Sequence, residues 1–149
     1  MLGELLSNRI LITLLIAWLM AGVLKIPIEY IETHNWNWGL LFSSGGMPSQ
    51  HSSLVTANML AVGLHTGFNT AAFAISFTLM MVVLYDAAGI RRQAGLQAQK
   101  INAMIAEFFA GHPISEDQLK EVLGHTPREV IAGAGLGLVT SVVVWLLWH

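Results

Sequence analysis

GGMPSQHSS, residues 45–53, sets a histidine beside a glycine- and hydroxyl-rich turn, and no residue between Thr33 and Asp86 carries a fixed charge. An imidazole left without a partner in lipid or in a dry core costs several kcal/mol, on the order of 2–7. His51 therefore needs a polar partner or a polar task.

The surroundings are hydrocarbon-like. Of 149 residues, 54% are hydrophobic and 11% charged, and the mean hydropathy is +0.62, whereas charged residues make up about 25% of an ordinary soluble domain. An integral membrane protein follows. The net charge of −2 lacks the concentrated basic face that binding a phosphate backbone requires, so nucleic acid is not expected as a partner. With no cysteine, disulfides, thiolate catalysis and cysteine zinc sites drop out. No histidine cluster at ligand spacing occurs, so neither a metal nor another cofactor is expected. The apolar run after Arg9 leads to Lys25 and not to a small-residue cleavage site, which reads as a retained span.

Four stretches approach the roughly 20 apolar residues of a crossing helix: 10–24, 53–64, 70–84 and 130–148. The brief link 63–69 makes the second and third a helical hairpin. Residues 86–129 hold most of the charge. Within them Ile90, Ala94, Ile101, Ile105 and Phe108 fall at near-helical spacing opposite Arg92, Gln93, Gln99 and Lys100, an amphipathic helix suited to a membrane surface or bundle rim. Ser115 and Gln118 have capping-box spacing and Gly124 supplies a stop, so a second short helix is expected there. The fold class is all-α: one membrane-embedded domain over 1–149, with about four spans plus interfacial helices.

Counting crossings puts Lys25, the His51 turn and residues 86–129 on one face, with both termini and the 63–69 link on the other. Lys25, Arg91, Arg92, Lys100, Lys120 and Arg128 then oppose Arg9 alone, and the positive-inside rule makes the first face cytoplasmic, with the plasma membrane as the expected location.

Two helix starts share that face. Gly45 and Gly46 allow a close backbone approach, Pro48 fits the first helical position, and Ser49, Gln50 and His51 would occupy the first turn. In Thr126-Pro127-Arg128-Glu129, threonine caps, proline starts the helix and glutamate reaches back to the cap; His125 stands just before. Helix N-termini attract anions, and with Arg91, Arg92 and Lys25 nearby the anion that fits is a phosphate. Simpler roles exist for each. Glu129 is fully explained as a capping-box residue, Lys25 as a snorkelling anchor, and Arg91 and Arg92 as interfacial anchors. Trp36, Trp38, Trp145 and Trp148 fit aromatic belts. Gly133 and Gly137 form a small-residue stripe, read as a close helix contact inside the bundle or as a homodimer contact.

PSQHSS resembles the PSGHS signature, and HTPREVIAG the H-x-P-x-D-V-x-A-G signature, of the type 2 phosphatidic acid phosphatase superfamily, which also contains vanadium haloperoxidases. Taken together, GGMPSQHSS, YDAAGIRRQAGLQAQKIN and LKEVLGHTPREVIAGAGLG resemble its divergent branch. The resemblance implies a reduced form of that superfamily's helical bundle and a metal-independent acid phosphatase, a hydrolase acting on a phospholipid or isoprenoid phosphate. It further implies that His125 is the nucleophile, Glu129 its orienting carboxylate and His51 the general acid. Ser49 and the Gln50 backbone N–H would hold phosphate oxygens, with Arg91, Arg92 and Lys25 supplying positive charge. The chain departs from the pattern at Gln50, where the family has glycine, and at Leu119, where it has arginine. The upstream arginine-proline pair of the pattern is also missing after Lys25, and the missing cations motivate an alternative, a non-catalytic lipid-phosphate-binding or scaffold protein. A transporter or channel subunit is the weaker third reading, because no span carries an acid or base to form an ion path.

Overall fold

The computed structural model describes residues 2–43, 45–108 and 125–148. The short helix expected around Ser115 and Gln118, and Leu119 with it, lies outside them. Among the described residues six α-helices run in order: α1 Leu2–Ser7, α2 Arg9–Thr33, α3 Gln50–Thr66, α4 Ala71–Ala88, α5 Ile90–Phe108 and α6 Pro127–Leu147, with a 3-10 helix at Trp38–Phe42. No strand occurs among the described residues, so the all-α expectation holds.

The first span is longer than its apolar run. Asn8 caps α2 by accepting from the Leu11 N–H, and the helix continues past Lys25 and Pro27 until His34 turns into the left-handed region and closes it on the Tyr30 carbonyl. The apolar run expected to span ends at Leu24, and a charge and a proline follow it. Neither ends the helix: the lysine finds oxygen partners inside the protein, and proline is tolerated in membrane helices where neighbours satisfy the backbone.

Helices α2, α4 and α6 are each long and apolar enough to cross a bilayer. The remaining expected span is α3, which packs against all three. Its 17 residues reach about 25 Å, yet it is less apolar than its neighbours. The physical reason is position: a helix sheathed by other helices does not face lipid and needs no Leu or Ile coat. Its buried faces carry Ser52, Ser53, Thr56, Ala57 and Ala61. Large apolar side chains point outward instead, with Ile31, Ile75, Val82 and Ile131 all exposed, as a lipid-facing surface requires.

Small residues let α3 and α6 touch backbone to backbone. A methyl on Gly133 would collide with the Ser49 carbonyl oxygen, and one on Gly137 would stand 2.5 Å from the Ser53 carbonyl oxygen. One turn further, Ser141 Oγ donates to the Ala57 carbonyl at 2.9 Å. The offset between partners is constant along both chains, so α3 and α6 run parallel. The glycine stripe is thus a contact within the bundle. Helix α2 runs antiparallel to α3, and Ser53 Oγ donates to the Ala17 carbonyl at 3.1 Å.

Amphipathic α5 lies beside α4. Ile101, Ile105 and Phe108 of its apolar face are exposed, whereas Gly95 and Asn102 are buried. That face meets the surroundings and not the bundle, as an interfacial helix does.

Candidate functional site

Because α3 and α6 are parallel neighbours, their N-termini open at the same end of the bundle. The turn into α3 uses Gly46 at a φ of +83° and a cis Met47–Pro48 peptide. Ser49 is the N-cap and Gln50 the first helical residue, so Pro48 precedes the cap. This corrects the expectation that Pro48 begins the helix: a proline there closes the turn and leaves the serine free to cap. The Ser49 N–H donates to the Glu129 carbonyl at 3.0 Å, tying one helix start to the other. At α6, Thr126 caps, Pro127 follows, and the Glu129 carboxylate completes a capping box.

This docking brings the two histidines together. The His51 and His125 ring centroids are 6.2 Å apart with ring planes at 60°. His125 is 3% exposed, and its Nδ1 lies 2.9 Å from Glu129 Oε2. A carboxylate only accepts, so Nδ1 carries the proton and the lone pair of the neutral ring resides on Nε2. Nε2 is itself buried and has no hydrogen-bond partner among the described residues. The same Glu129 oxygen accepts from the Thr126 N–H at 3.2 Å, so one carboxylate serves the helix cap and the imidazole at once. His51 is exposed at the mouth.

Lys25 is not a snorkelling anchor. It is 1% exposed, and its Nζ donates to the Ser43 carbonyl at 2.8 Å and to Gln50 Oε1 at 3.0 Å. Gln50 is 5% exposed and donates from Nε2 to the Leu41 carbonyl at 3.2 Å. Gly22 makes room for it, since a methyl there would stand 2.6 Å from Gln50 Nε2. A buried strut therefore binds the 3-10 helix and the turn after it to α2 and α3, and the Gln50 side chain turns away from His51. Ser49 is fully buried, its Oγ accepting from the Ser52 N–H and the Ser52 hydroxyl. Arg91 and Arg92 fall in the first turn of α5; their side chains lie outside the described part of the structure.

A cleft of about 610 Å³ opens between α2 and the start of α6, with Lys25, Glu29, Thr126, Arg128 and Glu129 among its lining. Neither the strut nor this cleft is evident from the sequence. One signal was available: Lys25 and Glu29 are four apart, which places both on one helical face, but ending the span at Leu24 concealed it.

The sequence profile described as the divergent PAP2 family matches residues 6–140, and the chain belongs to that family. A Bacillus subtilis (strain 168) protein described as "Uncharacterized membrane protein YuiD" is 38% identical over 152 residues, which cover 95% of this chain and 96% of that protein. No solved structure matches.

Proposed function

We propose, from membership of the divergent PAP2 family and the geometry of the two helix starts, that this membrane protein is a metal-independent phosphatase acting on a lipid phosphate or isoprenoid diphosphate. The observation that supports this reading best is the state of His125: Nδ1 held by a carboxylate and Nε2 buried without a partner. A buried nitrogen acceptor left unpaired costs about 1–3 kcal/mol, and a site that maintains such a group has a use for it.

In this mechanism the Nε2 lone pair of His125 attacks phosphorus, the bond from phosphorus to the leaving oxygen breaks, and protonated His51 gives its proton to that oxygen. Water then attacks the phosphohistidine, passes a proton back to His51, and phosphate departs. Two steps through a covalent intermediate each meet a lower barrier than direct hydrolysis. Glu129 keeps the ring oriented and stabilises the positive charge it acquires. The positive dipole ends of the two helix starts favour developing phosphate charge, and Arg91 and Arg92 are assigned the remaining neutralisation. The site faces the cytoplasm across the plasma membrane in this reading.

Purified protein in detergent is expected to release phosphate from phosphatidic acid or an isoprenyl diphosphate and to give an acid-labile phosphoprotein on rapid quenching. His125→Ala is expected to lose both. Continued release in that variant refutes the assigned nucleophile.

A second reading, a lipid-phosphate binder without turnover, draws support from Leu119, which stands where the superfamily pattern has an arginine. Protection against heating by phosphate or vanadate, equal in wild type and His125→Ala and without phosphate release, favours it.

A further inference from the structure

Lys25 is a buried charge to which the phosphatase mechanism gives no task. Its Nζ is committed to two neutral oxygens, the Ser43 carbonyl at 2.8 Å and Gln50 Oε1 at 3.0 Å, and the cleft that it lines has neither His51 nor His125 in its walls. Taking an ammonium out of water is costly, so those two contacts matter to the fold that retains it. What the lysine holds is Gln50. That side chain donates from Nε2 to the Leu41 carbonyl at 3.2 Å and to the Trp18 carbonyl at 3.5 Å. Its slot exists because residue 22 is glycine: a methyl there would stand 2.6 Å from Gln50 Nε2.

Gln50 is the first residue of α3 and His51 the second, so what fixes one fixes the backbone that carries the other. Among the described residues two ties hold this turn. The Ser49 N–H is bound to the Glu129 carbonyl of α6 at 3.0 Å, and the Gln50 side chain is bound to Lys25 of α2 and to the Leu41 carbonyl. A single tie fixes one point of a helix; a second, to a different neighbour, fixes its rotation about its own axis. His51 is exposed, and its ring stands 6.2 Å from that of His125. A rotation of about 20° carries a ring about 6 Å from the helix axis through about 2 Å, and a misplacement of about 1 Å can cost about 10²-fold in rate.

We infer that Lys25 and Gln50 are positioning residues: Lys25 holds Gln50, Gln50 sets the rotation of the first turn of α3, and His51 is thereby presented to His125. The expected kinetics rest on the phosphatase reading of the two histidines; the placement of their rings does not. This role differs from the phosphate contact that the superfamily resemblance implies for Lys25, and the two roles lose activity differently. A ligand of the phosphate serves every substrate alike, whereas a residue acting through the general acid matters where the leaving oxygen needs a proton.

Gly22→Ala tests this directly, because its methyl displaces the Gln50 amide while every charge of the site stays in place. With an alkyl phosphate, turnover is expected to fall about tenfold or more; with p-nitrophenyl phosphate it is expected to change less than about twofold. Lys25→Met is expected to give the same selective loss, and Lys25→Arg, which keeps donors for Gln50 and the Ser43 carbonyl, to recover most of it. Where Lys25→Met does not fold, Gly22→Ala carries the test. Equal losses on both substrates in either variant, or no loss in Gly22→Ala, overturn the inference. A second readout needs no turnover: nuclear Overhauser contacts between the His51 and His125 ring protons in the full, otherwise deuterated chain in detergent. They are expected in the wild type and Lys25→Arg, and at half strength or less in Gly22→Ala and Lys25→Met. Contacts absent from the wild type, or equal in all four proteins, overturn the inference and leave phosphate release to judge the phosphatase reading. Contacts that weaken as expected in a protein that releases no phosphate uphold the positioning and reject the phosphatase.

Discussion

The two helix starts at the mouth of the bundle are built alike and exposed oppositely. At α3 the cap, Ser49, is fully buried and the histidine two residues on is exposed. At α6 the cap, Thr126, is exposed and the histidine just before it is buried. Parallel packing fixes this inversion, because the Ser49 N–H is drawn onto the Glu129 carbonyl while the neighbouring glycine at 133 leaves no space between the helices. The lesson concerns division of labour. A buried imidazole with one nitrogen held by a carboxylate is suited to attack, and an exposed one beside it is suited to exchange protons with a leaving group and water.

The sharpest way to break the comparison is to remove each histidine in turn. His125→Ala is expected to lower turnover by at least about 10³-fold with every leaving group, as loss of a nucleophile does. His51→Ala is expected to cost about 10²–10⁴-fold with an alkyl phosphate and far less with p-nitrophenyl phosphate, whose leaving oxygen needs no proton. Equal losses for both substrates at both positions would remove the division. Glu129→Gln comes next. Glutamine at the third helical position retains the capping box but not the charge that orients an imidazole, so turnover is expected to fall on the order of 10²-fold or more with the melting temperature held. A melting loss in proportion to the activity loss would reduce Glu129 to a cap.

How much of this arrangement could be read beforehand depends on distance along the chain. The capping box at Thr126 and Glu129 was legible because it is local chemistry at fixed spacing, and the structure has it. The pairing of His51 with His125 was legible through counted crossings, which put both on one face, and through the superfamily resemblance, which gives them complementary roles; their 6.2 Å separation follows from the α3 and α6 register, which no local pattern specifies. Gly133 and Gly137 announced a close contact but not the partner. The Lys25 and Gln50 strut was illegible, because a lysine at the end of an apolar run looks like an anchor until the fold brings the Ser43 carbonyl and Gln50 to it. Ordinary hydropathy likewise undervalues α3, whose polar small residues are the mark of a helix surrounded by other helices.

Two glycines of α6 sharpen the same point at a smaller scale. Gly133→Ala places a methyl against the Ser49 carbonyl, and backbone cannot retreat as a side chain can, so a loss of about 1–3 kcal/mol is expected, accompanied by reduced turnover as the two starts separate. Gly135 has nothing within 4 Å of the same added methyl, and Gly135→Ala is expected to be neutral or to stabilise by up to about 1 kcal/mol through helix propensity. Thermal melting in one detergent decides between them. Equal shifts would mean that the helices are not in contact at Ser49.

The caps themselves should give the smallest and most diagnostic difference. Ser49→Ala deprives two groups of Ser52, its N–H and its hydroxyl, of their acceptor in a place water does not reach; a loss toward the upper end of about 0.5–2 kcal/mol is expected. Thr126→Ala deprives the Glu129 N–H of its acceptor at an exposed position. Water replaces a threonine hydroxyl there, and the Glu129 carboxylate continues to hold the Thr126 N–H, so the loss is expected near the lower end of the same range. If Thr126→Ala proves the costlier of the two, the inversion between the helix starts is wrong: the α6 start would then be the buried one, and His125 would lose the seclusion on which its assignment as nucleophile depends.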